Sequence, residues 1–174
     1  GKALGMLERD PRYLPIDDAH PGLPSKPYGL AKWLSEEMCE SFTRSTGIAT
    51  ICLRPVLVLD EREWDERAPG PEMPPGRGRS WHLGVFVDVQ DVVEAVVCAL
   101  TCPDPGHVRA LLCGEDVASP RASADLVAEH LPHVPWRDGE PYPPGSRRAL
   151  VDTTAARERL GWAPRVRWED RRLR

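Results

Sequence analysis

The sequence predicts an α/β fold built on a parallel sheet, because helical and strand patterns alternate along the chain. From residue 28 onward the predicted order is helix, strand, helix, strand, helix. The strands are short apolar, β-branched runs, and Gly or Pro residues follow them. A chain of 174 residues with 41% hydrophobic residues can bury one sizeable core and is too short for two ordinary domains.

The boundaries of the predicted elements come from turn and capping residues. A Pro-rich irregular segment, 1–27, precedes a helix from Tyr28 to about Thr46, which Gly47 ends in the position of a left-handed cap. The later predicted elements are a buried strand at 48–53, a loop or lid at 60–81, a short strand at 84–87, a helix at 88–100 capped by Asp88, a strand at 108–113, a helix at 119–131 opened by Ser119-Pro120, and a helix at 152–160 capped by Asp152.

Composition excludes several classes of function. A net charge of −4 gives no reason to expect nucleic acid as a partner. Glu94 interrupts the longest apolar run, so no membrane span is predicted. The five scattered cysteines include no C-x-x-C pair, which favours a reduced cytoplasm over a disulfide scaffold. Cys98 and Cys102 with nearby His107 lack a fourth ligand, and no metal site is predicted.

The motif Tyr28-Gly-Leu-Ala-Lys32 places a phenol and an ammonium one helical turn apart. We expect three faces on this helix: an apolar stripe toward the core, a solvent side, and a marginal stripe that carries the Tyr and the Lys. The expected members are, in that order, Leu30, Leu34, Met38 and Phe42; Glu36, Glu37, Glu40 and Arg44; and Tyr28, Lys32, Ser35 and Cys39.

Acid–base chemistry explains why this spacing could matter. A free phenol has a pKa of about 10, too high for efficient proton exchange with an alcohol at neutral pH. A cation held nearby favours the phenolate and lowers that pKa. Lys32 could do this while it holds a sugar hydroxyl of a cofactor, and Tyr28 could then accept an alcohol proton as hydride leaves. The alternative is structural: a Tyr packed at a helix start beside a solvated Lys.

Five segments in order resemble an extended short-chain dehydrogenase/reductase of the NAD-dependent epimerase/dehydratase group, and together they extend over nearly the whole chain. They are Pro15-Ile-Asp-Asp-Ala-His-Pro21, Pro27-Tyr-Gly-Leu-Ala-Lys32 with the Glu-rich helix, Leu53-Arg-Pro55, Phe86-Val-Asp-Val-Gln-Asp-Val-Val93, and Ala149-Leu-Val-Asp152 through Leu160-Gly-Trp-Ala-Pro164.

The resemblance implies a partial Rossmann-type parallel sheet with an interleaved, smaller substrate-binding region. Residues 1–55 and 86–114 would belong to the dinucleotide-binding domain, and residues 56–85 and 115–174 to the substrate-binding region. NAD or NADP is the implied cofactor and a small molecule the implied substrate. A homodimer through the Tyr28–Thr46 helix is implied as well.

The resemblance also assigns roles to individual residues. Tyr28 would be the catalytic acid/base, and Lys32 would bind the nicotinamide ribose and lower the Tyr pKa. Beside the nicotinamide would lie Pro55, Val56 and Val58, while a substrate phosphate could be held by Arg77 and Arg79. Two further positions, Glu37 and Asp91, match recurrent family positions, although a solvated helix face and a capped helix explain them equally well.

The chain departs from the family pattern at three points. Gly76-Arg77-Gly78 opens no helix, so a Gly-rich dinucleotide turn is missing. The family's Ser or Thr partner of the Tyr would precede residue 1, and we therefore expect the chain to be a C-terminal portion. No Asn follows Arg54-Pro55, unlike in sugar-nucleotide members.

These features predict an NAD(P)-dependent oxidoreductase, epimerase or dehydratase that transfers hydride at a secondary alcohol or ketone, including that of a sugar or nucleotide sugar. The alternatives are a non-catalytic NAD(P)-binding relative and a fragment that is inactive by itself.

Overall fold

The computed structural model describes residues 10–22, 24, 26–67 and 83–172. In these ranges the elements are α1 (Pro27–Thr46), β1 (Thr50–Pro55), β2 (Val58–Leu59), α2 (Glu61–Arg67), β3 (Val87–Asp88), α3 (Val89–Thr101), β4 (His107–Leu112), α4 (Ser123–His130), α5 (Thr154–Leu160) and α6 (Trp168–Arg172). The predicted α/β class is confirmed.

The strands form two parallel pairs. β1 pairs with β4 in a register that sets Thr50 opposite His107 and Pro55 opposite Leu112. β2 pairs with β3, with Val58 opposite Val87. Parallel neighbours need a crossover connection, and α3 lies in the connection between β1 and β4. The predicted parallel sheet is therefore present.

One face of the β1–β4 pair carries the main core. Alternate strand residues point to this side, where they pack with α3, α5 and the segment after α5. The strand members are Ile51, Leu53, Val108, Ala110 and Leu112, and the helical and C-terminal members include Ala95, Ala156, Leu160 and Trp162. This apolar face holds β1, β4, α3 and α5 together.

The opposite face of the sheet packs on α1 through charged and hydroxyl side chains. We call this set the polar layer: Glu36, Glu37, Glu40 and Thr43 of α1 with Thr50, Arg54, His107 and Arg109 of the sheet. It corrects the predicted helix orientation, since Glu36, Glu37 and Glu40 of the expected solvent side face the sheet, while Arg44 stays exposed. The expected core stripe is exposed, and Met38 retains 70% of its accessible surface.

The helix α1 packs in this orientation because of the side chains that the strands present to it. The alternation in β1 and β4 directs Arg54 and Arg109 toward α1, so the helix satisfies them with its glutamates. Burying a guanidinium without a carboxylate partner would cost more than exposing an apolar stripe.

Several boundaries match the prediction and others do not. Gly47 ends α1 with φ 75°, and the Asp88 carboxylate accepts the Gln90 N–H at 2.8 Å, as predicted. The expected lid includes α2, and the strand expected at 84–87 is limited to Val87–Asp88. Gly84 adopts φ 73°, a turn conformation that precedes this strand.

The helix expected at 119–131 begins later, at Ser123. The Ser119 hydroxyl accepts the N–H of Arg121 at 3.1 Å, so it closes a local turn instead of capping a helix. The short helix α6 was not predicted, because a five-residue segment has too little periodicity to show one.

Candidate active site

Tyr28 and Lys32, hereafter the Tyr–Lys pair, lie side by side at the start of α1. Pro27 occupies the first turn of the helix, where a missing backbone N–H costs nothing. The Lys32 Nζ lies 5.8 Å from the centroid of the Tyr28 ring, within the range of a cation–π contact. Tyr28 is 49% exposed, so a ligand could reach its hydroxyl.

The direction of α1 brings the Tyr–Lys pair to the carboxyl edge of β1. Glu36 contacts Arg54, whereas Thr43, later in α1, contacts Thr50, earlier in β1. Helix and strand therefore run antiparallel. Four helical residues rise about 6 Å, nearly the length of two strand residues, so the pair lies past Arg54 in the direction of residues 55–58.

The three predicted nicotinamide neighbours lie at this edge with different exposures. Pro55 and Val58 are partly exposed, although Val58 also packs against the main core, in which the Val56 side chain is buried. The Val56 N–H donates to the Leu112 carbonyl at 3.1 Å. Pro55 and Val58 could thus offer side chains to a ligand, and Val56 fixes the backbone between them.

Asp18 and Glu36 hold Arg54 from two sides, a contact that the sequence analysis missed. The Arg54 Nη1 donates to the Asp18 carbonyl at 3.2 Å, and its Nε donates to both Glu36 oxygens. Burial raises the Asp18 pKa to about 6, against the effects of a backbone hydrogen bond from Leu111 and of the Arg54 charge. The signal available in the sequence was the acidic pair in the segment 15–21.

A second polar region lies beyond the carboxyl end of β4. It is a cavity of about 480 Å³ lined by the residues after β4, the start of α5 and parts of the C-terminal segment: Gly114, Glu115, Asp116, Arg147, Arg148, Ala149, Val151, Asp152, Thr153, Thr154, Arg157, Arg167 and Glu169. The Tyr–Lys pair is not part of this lining. Its four arginines face four carboxylates, so their formal charges balance.

Ion pairs fill much of this cavity wall. Glu115 contacts Arg157 at 3.0 Å and Arg167 at 2.7 Å, and these hydrogen bonds hold its pKa below the ordinary value. Burial raises the pKa of Asp116, which also pairs with Arg147. These ion pairs join the residues after β4 to α5 and to the C-terminal segment.

The remaining predicted residues have other positions. Arg77 and Arg79 lie outside the described residues. Glu37 bonds Arg109 at 2.8 Å and so belongs to the polar layer. Asp91 accepts the N–H groups of Arg165 and Val166 at 2.9 and 3.1 Å, which ties the C-terminal segment to α3.

Within the ranges that the structure describes, no three His, Cys, Asp or Glu side chains are grouped so that they could hold a metal ion. None of the described helices has the length and apolar character needed to cross a membrane.

Comparison with known proteins places these features in context. No protein-family model matches the sequence. A Methanocaldococcus jannaschii protein named "Putative UDP-glucose 4-epimerase" is 41% identical over 177 residues, a match that covers 93% of this chain and 56% of the relative. The chain thus spans little more than half the length of this curated relative.

Solved structures show the same partial coverage. Thermotoga maritima UDP-glucose 4-epimerase, determined with UDP-glucose, matches with 25% identity and a TM-score of 0.59, over 97% of this chain and 58% of that one. A short-chain dehydrogenase/reductase superfamily protein from Agrobacterium tumefaciens with bound NAD matches with 19% identity and a TM-score of 0.64, over 99% and 63%. At that identity the second match supports the fold alone.

Proposed function

Because the chain belongs to the extended short-chain dehydrogenase/reductases of the epimerase/dehydratase group, we propose that it supplies the proton-transfer pair of an NAD(P)-dependent enzyme. The enzyme would interconvert a secondary alcohol and a ketone on a sugar or nucleotide sugar. The observation that supports the proposal is that Tyr28 is exposed and that the Lys32 Nζ lies 5.8 Å from the centroid of its ring.

The residues present fit the nicotinamide half of a dinucleotide. An exposed phenol and an adjacent ammonium could bind the ribose, and the partly exposed Pro55 and Val58 lie at and after the end of β1, where open α/β sheets bind ligands. When bound, the nicotinamide ring supplies the hydride acceptor and donor. NAD is the cofactor named for several structural neighbours, and NADPH for another.

In this proposal each member of the Tyr–Lys pair has a separate role. The Tyr28 hydroxyl oxygen takes the alcohol proton during oxidation and returns it during reduction. Lys32 would hold the nicotinamide ribose through a hydrogen bond from its ammonium group, which lies beside the Tyr28 ring. Pro55 and Val58 form an apolar wall that excludes water from the ring, and the Val56 backbone holds that wall in place.

The wider organisation follows the same proposal. Described residues within 1–55 and 86–114 would form the dinucleotide side, and those within 56–85 and 115–174 the substrate side, which includes the cavity beyond β4. The exposed stripe of α1, with Leu30, Leu34, Met38 and Phe42, supports a homodimer through this helix. Thiols without disulfide partners in the described residues are compatible with the cytoplasm.

The decisive experiment replaces Tyr28 by Phe in an enzyme that also contains the Gly-rich half. The change keeps the ring and removes the transferable proton. Cofactor affinity should stay nearly unchanged, while kcat should fall by about 10²–10⁴-fold. Tyr13→Phe is a matched control, because it removes a phenol hydroxyl that donates to Asp17 at 2.7 Å and does not belong to the Tyr–Lys pair.

Changes at Lys32 test the second role. Lys32→Ala should raise the KM for the cofactor and shift the pH profile of kcat, since both the ribose contact and the neighbouring charge are lost. Lys32→Arg keeps the charge but has a different donor geometry, and it should restore activity only in part. If Tyr28→Phe retains most of its kcat, the chain belongs to a binding protein and the catalytic assignment is wrong.

A further inference from the structure

Cys39 and Cys52 face one another between α1 and β1. The antiparallel helix and strand make three successive side-chain pairs. Glu36 bonds Arg54 at one end, and Thr43 meets Thr50 at the other. Cys39 lies between the two helical partners, and Cys52 lies between the two strand partners on the same strand face. The two cysteines therefore form the middle pair.

The helix approaches the strand closely at this point. The hydroxyl oxygens of Thr43 and Thr50 are 2.7 Å apart. The Thr50 hydroxyl also donates to the backbone carbonyl of Cys39 at 3.2 Å. A side chain as short as Thr thus spans the gap to the helix backbone. The neighbouring Cys39 helps to raise the pKa of the Cys52 thiol, and both residues are partly buried.

We propose that Cys39 and Cys52 are a redox-active thiol pair that a small-molecule disulfide such as glutathione disulfide converts into an intrachain disulfide. A disulfide needs Cα atoms within about 4.4–6.8 Å, and the contacts of Thr50 with Thr43 and with the Cys39 carbonyl show that helix and strand are close on either side of the two cysteines. The bond would join the helix that carries the Tyr–Lys pair to the strand that leads to residues 55–58.

The reaction balances through two thiol–disulfide exchanges. One protein thiolate attacks glutathione disulfide, forms a mixed disulfide and releases one glutathione thiolate. The second protein thiolate attacks the protein-side sulfur of that mixed disulfide and releases the second glutathione. Two electrons pass from the protein thiols to the small disulfide, and the two thiol protons end on the released glutathione or in solvent.

Burial makes this exchange slower than the oxidation of a thiol on the protein surface. Burial, reinforced by the neighbouring Cys39, raises the Cys52 pKa to about 12. The reactive thiolate of Cys52 is therefore scarce near neutral pH. Once the mixed disulfide forms, however, the second thiol is already beside it, and ring closure is an intramolecular step.

The test treats the full chain with glutathione disulfide and maps the products by mass spectrometry under non-reducing conditions. We expect each chain to lose two hydrogen atoms without being crosslinked to a second chain. One crosslinked peptide should contain both Cys39 and Cys52. Cys39→Ser and Cys52→Ser should each abolish the crosslink. Cys98→Ser, a change at a partly buried cysteine of α3, should leave it intact. None of these measurements requires catalysis, so they are independent of the proposed function.

Several outcomes would overturn the proposal. Three of them are other products: a crosslink between other cysteines, a crosslink between two chains, and a stable glutathione adduct at Cys39 or Cys52. The fourth is that both thiols stay reduced in the folded chain under conditions in which the unfolded chain is oxidised. Oxidised wild-type protein should also melt at a higher temperature than reduced protein, because the bond restricts the unfolded chain. An unchanged or lower melting temperature in the crosslinked product would show that the native packing cannot accept the bond.

Discussion

The Arg54 Nε lies 3.0 and 3.1 Å from the two carboxylate oxygens of Glu36, so a strand and a helix are joined by a fork-shaped ion pair. Both side chains are nearly buried, with 10% and 12% of their surface exposed. In such surroundings the loss of one partner leaves an uncompensated charge. The ion pair therefore holds α1 against β1, and the effect of its removal on the free energy of unfolding can be measured.

Replacing Arg54 by Met should lower the free energy of unfolding by about 3–5 kcal/mol, because Glu36 and Asp18 would lose their shared cation. Urea denaturation of the protein measures this change. Arg44→Met on the exposed side of α1 is the matched control, and it should change stability by about 0.5 kcal/mol or less. Equal effects of the two substitutions would show that the Arg54 pairs contribute no more than a surface charge.

Asp18→Asn should flatten the pH dependence of stability in weakly acidic solution. The folded-state pKa of Asp18, about 6, is above its ordinary value of 3.8, so the folded chain binds this proton more tightly than the unfolded chain. The resulting stability is complete below pH 3.8 and is lost as the pH rises through 6. Melting temperatures measured across this interval should fall less in Asp18→Asn than in the wild type. The exposed control Asp138→Asn should follow the wild-type curve.

Asp91→Ala should destabilise the attachment of the C-terminal segment. The carboxylate accepts two backbone N–H groups, and each buried donor left without a partner costs about 1–3 kcal/mol. We expect a loss of about 2–4 kcal/mol in urea denaturation. Glu94→Ala removes a nearby carboxylate that pairs with the exposed Arg165 side chain, and it should cost less than about 1 kcal/mol.

The proposed homodimer predicts that Met38→Glu shifts the chain toward monomer in sedimentation velocity. A charge placed in the exposed α1 stripe would have to be desolvated at the interface. Val97→Glu introduces the same charge on the exposed face of α3 and should leave the association constant unchanged. If the α3 variant dissociates the protein and the α1 variant does not, α3 is the interface.

This 174-residue chain alone should bind NADH weakly or not at all. In the part of the chain that the structure describes, no Gly-rich turn opens a helix, and such a turn supplies the N–H groups that hold a pyrophosphate. Titration followed by NADH fluorescence tests this expectation. Micromolar affinity would show that this chain binds more of the dinucleotide than its nicotinamide half.

Local signals in the sequence predicted the parts of the fold that depend on near neighbours. The Gly47 cap, the Asp88 cap and the Tyr–Lys spacing are set within a few residues, and the structure has each of them. The rotation of α1 depends on Arg54 and Arg109, which are distant in sequence, so the apolar pattern of the helix gave the wrong face.

The same distinction applies to the candidate site. The position of Asp18 beside Arg54 and the cavity beyond β4 arise from segments that only tertiary packing brings together. No periodicity within one segment could indicate either feature. By contrast, the edge shared by residues 28–32 and 55–58 followed from family resemblance, and the antiparallel arrangement of α1 and β1 supports it.

The polar layer gives α1 a graded response to ionic strength. At the end near the Tyr–Lys pair, Glu36 and Arg54 are shielded from ions. Farther along the helix, Glu37 and Glu40 are each 43% exposed where they bond Arg109, and mobile salt weakens such contacts first. Rising salt should therefore weaken the Arg109 ion pairs of α1 before the Glu36–Arg54 pair, while the uncharged contact between Thr43 and Thr50 keeps the end of the helix on the sheet.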